Sequence, residues 1–242
     1  GKTGEEEARF RKTSADELAM LTLPSAWRFV WRALAVAISA LALLRVSVGV
    51  AAWRAAECLE RTKYEVIRKV GRGIEIRRYE PFLVAETTVP QAGASAVRAS
   101  SLGFRTVAKY IFGGNSGAVK MKMTAPVTTS VSERGPARVS FVMQPSEYAR
   151  TSQAPRPSDS AVKVKRVDGR LVAARSFSGP PPKDERVARE RALLLKALDE
   201  AGLASAVLGG GETLVSGYHD PFMTPGPLRR NEVAVPLDPR AF

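Results

Sequence analysis

Few residues in this chain could carry out chemistry, and their positions do not form a catalytic group. The sequence has a single cysteine, Cys58, and a single histidine, His219, in distant parts of the chain. These counts exclude an intramolecular disulfide and metal sites built from several cysteines or imidazoles. The glycines at 71–73 lack the third glycine of a dinucleotide fingerprint, and Glu185 and Glu190 have the pattern of solvated helix charges. We therefore predict no catalytic residue, no metal site and no enzyme.

A helix, a glycine turn and a strand follow one another near the middle of the chain and could form a binding surface. Residues 94–112 have apolar residues at the spacing of one helical face, namely Val97, Phe104, Val107 and Ile111. Gly113 and Gly114 predict the helix end, because glycine accepts positive φ, which Asn115 also tolerates. The period then changes to two, which predicts a strand over 119–131 with one side formed by Val119, Met121, Met123 and Ala125.

The elements around this segment occur as two similar halves. The predicted first half has strands at 64–68, 74–79, 82–89, 119–131 and 139–144, and the second at 161–167, 171–177, 212–218 and 231–237. The tripeptide Leu-Val-Ala occurs at 83–85 and again at 171–173, each time before a helix. We predict an α+β fold, a pseudo-twofold twisted antiparallel β-barrel flanked by two helices.

The second helix is predicted over 184–201. Asp184 follows three prolines and is the expected cap, and Gly202 is the expected stop. The side chains that we expect this helix to bury are Val187, Leu194, Leu195 and Leu198.

The first part of the chain, residues 1–62, is predicted to be an extension ahead of a domain at 63–242. Ser14 and Glu17 have the capping-box spacing of a short helix. The net charge of +13 favours anionic partners. The sequence has no basic block with interleaved aromatic residues, so we predict no nucleic-acid partner.

An apolar helix is predicted within this extension over 27–53. Residues 33–53 contain one charged residue, Arg45, and would rise about 30 Å, the thickness of a bilayer core. Tryptophans near both ends suit the two interfaces. Arg45 would cost about 2.5–3.5 kcal/mol near the membrane centre. Three interpretations stay open: a membrane span packed against other helices, an interfacial or partner-bound helix, and an uncleaved targeting segment.

Three segments of the chain resemble the SOUL family of haem-binding proteins, especially its plastid-type members. They are YEVIRKVGRGIEIRRYEPFLVAET, KYIFGGNSGAVKMKMTAPV and GYHDPFMTPGPLRRNEVAV. The resemblance extends over residues 63–237. It implies the fold predicted above and a tetrapyrrole ligand, haem or a related porphyrin, held by apolar contact with basic residues near the propionates.

Matching the family's helix to this chain gives a set of candidate ligand contacts. Phe104, Ala108 and Phe112 would form the apolar surface, with Lys109 as the propionate partner. Residues 219–223 would cover it, and the full candidate set is Phe104, Ala108, Lys109, Phe112, His219, Phe222 and Met223. The alternative for each apolar residue is an ordinary place in the barrel core.

The axial ligand is where this chain departs from some members of the family. Their histidine corresponds to Arg78 here, and a guanidinium stays protonated and does not ligate iron. His219, beside Asp220, is a possible substitute, or simply an exposed turn histidine. We therefore expect weak or uncoordinated tetrapyrrole binding.

Two functional hypotheses follow. One is a tetrapyrrole carrier tethered to an organelle membrane, the chloroplast thylakoid or alternatively the mitochondrial inner membrane. The other is a non-catalytic accessory subunit of a photosynthetic or respiratory membrane complex, in which the SOUL-like domain is an interaction surface. The apolar helix over 27–53 motivates the second hypothesis.

Overall fold

The computed structural model of this protein describes residues 25–90, 95–132, 135–209 and 211–242. The chain forms two compact units, residues 1–49 and 50–242. The short helix expected near Ser14 lies outside the described residues.

The first described element is the helix α1, Ser25–Glu57. Its large apolar side chains between residues 27 and 48 are exposed. Within the described ranges it is the one helix long and apolar enough to cross a membrane, with a mean hydropathy of 2.2 in its most apolar window. These properties fit a membrane span and a targeting segment equally.

The second unit is built on one nine-stranded antiparallel sheet. Its strands run in the order β1-β2-β7-β9-β8-β4-β5-β3-β6. Their bounds are Tyr64–Gly71, Ile74–Tyr79, Phe82–Val89, Val127–Ser132, Gly135–Val142, Val162–Val167, Arg170–Ser178, Thr213–Gly217 and Arg230–Leu237 for β1 to β9 in turn. The helices α2, Ala96–Ile111, and α3, Asp184–Glu200, follow β3 and β7.

The strand order confirms the internal repeat. Outward from the central pair of β4 and β8, the sheet continues through β5, β3 and β6 on one side and through β9, β7 and β2 on the other. The repeated tripeptide lies in the equivalent strands β3 and β7. The α+β architecture with two helices is confirmed.

The prediction that the sheet closes into a barrel was wrong for the described residues. The sheet is open, and β1 and β6 form its two edges. Lysines and arginines lie among the apolar residues of both strands, whose sequences are YEVIRKVG and VKVKRV. β1 also has two register irregularities against β2. Charges and bulges of this kind keep an edge strand from pairing further.

One side of α2 packs against the sheet, and it includes two of the four predicted residues, Val107 and Ile111. Small residues form much of this contact, and an added Cβ on Gly103 would lie 2.6 Å from Val139 Cγ2. The buried set is Ala96, Ala99, Gly103, Val107, Ala108, Tyr110 and Ile111. Val97 and Phe104 are exposed instead. The sequence pattern counted only large apolar residues and therefore missed the small residues that make up the rest of this face and allow close packing.

Helix α3 buries Val187, Leu194 and Leu198 as predicted, with Leu195 partly buried. The solvated position predicted for Glu190 was wrong, because this carboxylate is buried and pairs with Arg175 Nε at 2.7 Å. Its first residue has a different function from the predicted one. Asp184 does not cap its own helix but accepts hydrogen bonds from Ser95 Oγ at 2.6 Å and from the backbone N–H of Val97 at 3.2 Å. It therefore caps α2 and joins the two helix N-termini.

The strand predicted over 119–131 begins only at Val127. Val119 is exposed and Met121 is buried, so the predicted alternation does not describe this segment. Its backbone instead forms an isolated bridge between Lys120 and Phe112, and Met121 N–H donates to the carbonyl of Ile111 at 2.9 Å. The segment is held against the end of α2 rather than in the sheet.

Candidate functional site

The exposed side of α2 carries a stripe of aromatic side chains. Phe104, Ala108 and Phe112 follow at intervals of four residues, so they lie on one side of the helix over about 12 Å. Phe104 is 41% exposed and Phe112 is 56% exposed, whereas Ala108 is buried. The ring of Phe104 packs on the buried Phe141 of β5 with centroids 5.5 Å apart. The stripe is therefore a supported apolar surface that is open to solvent.

Two exposed cations lie beside this stripe. Arg105 and Lys109 are one position beyond Phe104 and Ala108, which places them about 100° further round the helix. The order round α2 is thus a buried face, an aromatic stripe and a basic stripe. Matching the family's helix to this chain predicted Lys109 but missed Arg105. The spacing of four residues between Arg105 and Lys109 could have indicated that both lie on the same side of the helix.

The C-terminal end of the stripe is fixed by the loop that follows α2. Gly113 has a φ of 109°, and the N–H of Gly114 donates to the carbonyl of Lys109 at 2.8 Å, which confirms the predicted glycine stop. Asn115 is buried, and its side chain both donates to the carbonyl of Val119 at 2.8 Å and accepts from its N–H at 3.0 Å. Asn115 therefore clamps the loop through its side chain.

The N-terminal end of the stripe opens into a cleft between the first turns of α2 and α3. The cleft has a volume of about 580 Å³, within the range of small-molecule pockets. Its walls include the exposed apolar residues Val97 and Leu102 and the cations Arg98 and Lys183. We call this cleft together with Phe104, Ala108, Phe112, Arg105 and Lys109 the α2 surface.

His219, the candidate axial ligand, uses both of its ring nitrogens within the protein. Its side chain is 1% exposed. Nδ1 accepts a hydrogen bond from the backbone N–H of Arg230 at 3.0 Å, so Nε2 carries the proton and donates to Glu57 Oε1 at 3.0 Å. Neither nitrogen is free to bind iron in this arrangement, and His219 instead joins the end of α1 to β9.

The segment after His219 forms its own turn. Asp220 Oδ1 accepts the backbone N–H groups of Phe222 at 2.7 Å and Met223 at 2.6 Å, so this carboxylate orders the turn rather than orienting the imidazole. The side chains of Phe222 and Met223 are exposed. The hydrogen bonds that fix His219 and Asp220 run to Glu57, to Arg230 and within the turn, and none of them joins this segment to the α2 surface.

The face of the sheet opposite the helices has a buried ion-pair cluster around Glu232. Its carboxylate accepts from Arg77 Nη1 at 2.9 and 3.0 Å and from Arg230 Nη2 at 2.6 Å. The hydroxyls of Tyr218 and Ser176 donate to it at 2.6 and 2.7 Å. Burial by itself raises the pKa of Glu232, but the two guanidinium groups and two hydroxyls outweigh burial and lower it. This carboxylate is fully paired and stabilises the sheet.

A cavity on the same face is too small for a tetrapyrrole. Its volume is about 80 Å³, whereas pockets for drug-sized ligands measure about 300–1,000 Å³. Within the described part of the chain, no group of three or more histidine, cysteine, aspartate or glutamate side chains could hold a metal ion. This cavity therefore has no room for a macrocycle, whereas the α2 surface is open to solvent.

One solved structure supports the fold, and a second resembles this chain less closely. An uncharacterized conserved protein from Listeria innocua superposes with a TM-score of 0.50 at 10% identity, over 69% of this chain and 93% of the other. The EcmrR C-terminal domain superposes with a TM-score of 0.49 at 10% identity, over 72% of this chain and 98% of the other. At 10% identity, the similarity to the Listeria innocua protein bears on the fold alone and not on function.

Comparison with protein families is more specific. Among curated proteins, none matches this sequence significantly. The sequence model described as SOUL heme-binding protein matches residues 59–236, which include the whole sheet apart from the last residue of β9, and both of its helices. This chain belongs to the SOUL haem-binding protein family.

Proposed function

We propose that this protein binds haem or a related porphyrin on the α2 surface, without ligation of the iron by His219, and that α1 tethers it to an organelle membrane. The observation that carries the proposal is the pair of half-exposed phenylalanines, Phe104 and Phe112, beside Arg105 and Lys109. Neither cation forms an ion pair with a described residue. A flat amphiphile with an apolar ring and anionic side groups complements this arrangement.

The expected affinity comes from several modest contributions. Burying a whole phenylalanine side chain stabilises by about 1.5–3 kcal/mol, and Phe104 and Phe112 have roughly half of their surface left to bury. A hydrogen bond to a charged group contributes about 1.5–3 kcal/mol. The loss of translational freedom on binding opposes these gains, so we expect micromolar rather than nanomolar affinity.

The membrane part of the proposal rests on α1. A helix with apolar side chains exposed over residues 27–48 requires lipid or a protein partner around it. The resemblance to plastid-type members supports the chloroplast, most simply the thylakoid, and the mitochondrial inner membrane is the alternative.

A second candidate function is an accessory subunit of a photosynthetic or respiratory membrane complex. The small residues of α1, such as Ala37, Ala40 and Gly49, favour this candidate because they let a partner helix approach closely. The sheet domain would then be an interaction surface, and binding of a tetrapyrrole would not be needed.

Titration of the full-length protein in detergent with haemin tests the proposal. We expect saturable binding at micromolar concentrations, and we expect Phe104→Asp with Lys109→Glu to weaken it at least tenfold, because one change puts a carboxylate against the ring and the other repels a propionate. A matched control is Leu193→Asp with Lys196→Glu on α3, where Leu193 is 42% exposed. Absence of saturable binding would leave the accessory subunit as the better account.

A further inference from the structure

A row of polar side chains crosses the face of the sheet that lies opposite the helices. Strand pairing places six of them side by side from β7 to β3, in the order Ser176, Glu232, Ser216, Thr128, Ser140 and Glu86. All but Ser176 line the cavity of about 80 Å³. Thr128 Oγ1 and Ser216 Oγ are 2.9 Å apart, and because only one of them donates in this pair, the other keeps a proton for a ligand.

One cation in this cavity, Arg170, forms no hydrogen bond and no ion pair with a described residue. Arg170 begins β7, and its guanidinium carbon lies 5.8 Å from the ring centroid of Phe82. Its Nε is shut off from solvent and has no hydrogen-bond partner in the described chain, nor does its side chain form an ion pair with any described residue. Burial lowers the pKa of Arg170, although the charge of Glu212 opposes this effect. The side chain of Arg170 is partly buried, and a charge withdrawn from water is costly unless something pairs with it.

The carboxylates that line the cavity already have closer cations. Glu232 is held by two arginines, as described above. Glu212 is 2.5 Å from Arg138 Nη2, and Glu86 is 2.6 Å from Lys165 Nζ. Arg170 is thus the one unmatched charge among the described cavity residues, and its sign selects an anionic ligand.

We propose that the cavity binds a small oxyanion, a carboxylate or a phosphate, through Arg170 and the hydroxyls of Thr128 and Ser216. A carboxylate or phosphate accepts charge-assisted hydrogen bonds from guanidinium and hydroxyl groups together. The cavity volume limits the ligand to a few heavy atoms. This site is on the opposite face of the sheet from the α2 surface and is independent of the proposed tetrapyrrole function.

Thermal unfolding of the full-length protein in detergent tests this site. Sodium acetate and sodium phosphate are titrated separately, each against sodium chloride at equal ionic strength. A ligand that binds only the folded state raises Tm with its concentration, and we expect a saturable rise of about 2–4 °C with at least one of the two anions. A response to acetate alone identifies a carboxylate site, and a response to phosphate alone a phosphate site.

Variants of Arg170 make the test specific. Arg170→Gln should abolish the response, whereas the matched control Arg166→Gln, at an exposed position of β6, should retain it. Without added anion, Arg170→Met should keep or raise Tm, because a partly buried charge that lacks an ion-pair partner is removed. The proposal is overturned if neither anion exceeds chloride, if Arg170→Gln responds like the parent protein, or if Arg170→Met lowers Tm without anion.

Discussion

Helices α1 and α2 both expose large apolar side chains, but they do so in different patterns. In α1, Val36 and Ile38 lie about 200° apart round the helix, and they are 69% and 60% exposed. The apolar surface of α1 therefore surrounds the helix. In α2 the stripe of Phe104, Ala108 and Phe112 is bounded by the face that packs on the sheet on one side and by Arg105 and Lys109 on the other, and the exposed Leu102 lies apart from it.

The difference bears on what each helix is suited to bind. A helix that is apolar all round suits lipid or several partner helices, and it offers no particular orientation to a small ligand. A stripe bounded by cations suits a single flat amphiphile, because the ring and its anionic groups have separate places. The following predictions test this distinction, from the largest expected effect to the smallest.

Deletion of residues 1–49 should abolish membrane association completely and leave haemin binding intact. Residues 50–62 are kept because Glu57 bonds His219 and Glu60 accepts from Ser146 N–H at 2.7 Å. The measurements are carbonate extraction of isolated organelle membranes for the full-length protein and thermal unfolding for the truncated one. Non-cooperative unfolding of the truncated protein would contradict the independence of the two regions. A truncation at residue 63 should fold with lower stability.

Glu232→Gln should destabilise the sheet that supports α2 by about 3–5 kcal/mol at neutral pH, because it leaves Arg77 and Arg230 buried without their carboxylate. The pKa of Glu232 is lower in the folded protein than the ordinary value of 4.5. Its stabilising effect is therefore present above about pH 4.5 and is lost as the pH falls towards the folded pKa.

Urea unfolding at pH 7 and pH 4 measures both effects. The free energy of unfolding of the parent protein should fall between pH 7 and pH 4, and that of Glu232→Gln should fall by a smaller amount. Asp238→Asn is the control, since Asp238 forms an exposed pair with Arg240, and exposed pairs contribute little. Equal stability of Glu232→Gln and the parent protein at pH 7 would show that the cluster does not hold the sheet.

Arg45→Leu should strengthen membrane retention of α1. If the helix spans the bilayer, the arginine opposes insertion by about 2.5–3.5 kcal/mol. The fraction of protein that stays on the membranes after washing with carbonate, and then with mild chaotropes, measures the change. Loss of assembly with copurifying membrane proteins would instead place Arg45 against a partner helix and favour the accessory-subunit function.

Gly103→Ala should destabilise the protein by about 1–3 kcal/mol, because the new Cβ overlaps Val139 in β5. Helix propensity alone predicts the reverse, a gain of about 1 kcal/mol. The control is Ser101→Ala on the exposed side of the same helix, which should change stability little. Stabilisation by Gly103→Ala would mean that α2 packs less closely on the sheet than the structure shows.

Much of the fold could be predicted because it depends on local patterns. The alternation of apolar and polar residues predicted most of the strands, and the glycines after residue 112 predicted the helix end. The repeated tripeptide indicated the internal duplication. The buried side of α2 could not be predicted in this way, because Ala96, Ala99 and Gly103 are small and their burial depends on the sheet that they meet. The path of residues 119–126 likewise depends on hydrogen bonds made by Asn115.

The candidate site was predictable only in part. The family resemblance supplied Phe104 and Phe112 together, whereas the helical period grouped Phe104 with Val107 and Ile111, which are buried. The exposure of Phe104 depends on where the sheet lies. The sequence around His219 gave no signal of its environment. Its partner Glu57 is far away in the sequence, and its other partner, Arg230, lies on the next strand. The pairing of Asp184 with the other helix was missed for the same reason.

The most direct test of the central claim is the Soret band of haemin bound to full-length His219→Ala. Because both ring nitrogens of His219 already have partners, we predict a band at the same position as for the parent protein and an affinity within about twofold of it. The protein with Phe104→Asp and Lys109→Glu should lose most of the band. Circular dichroism checks that each variant is folded. A shifted or absent band in folded His219→Ala, together with normal binding by the Phe104 and Lys109 variant, would contradict the account.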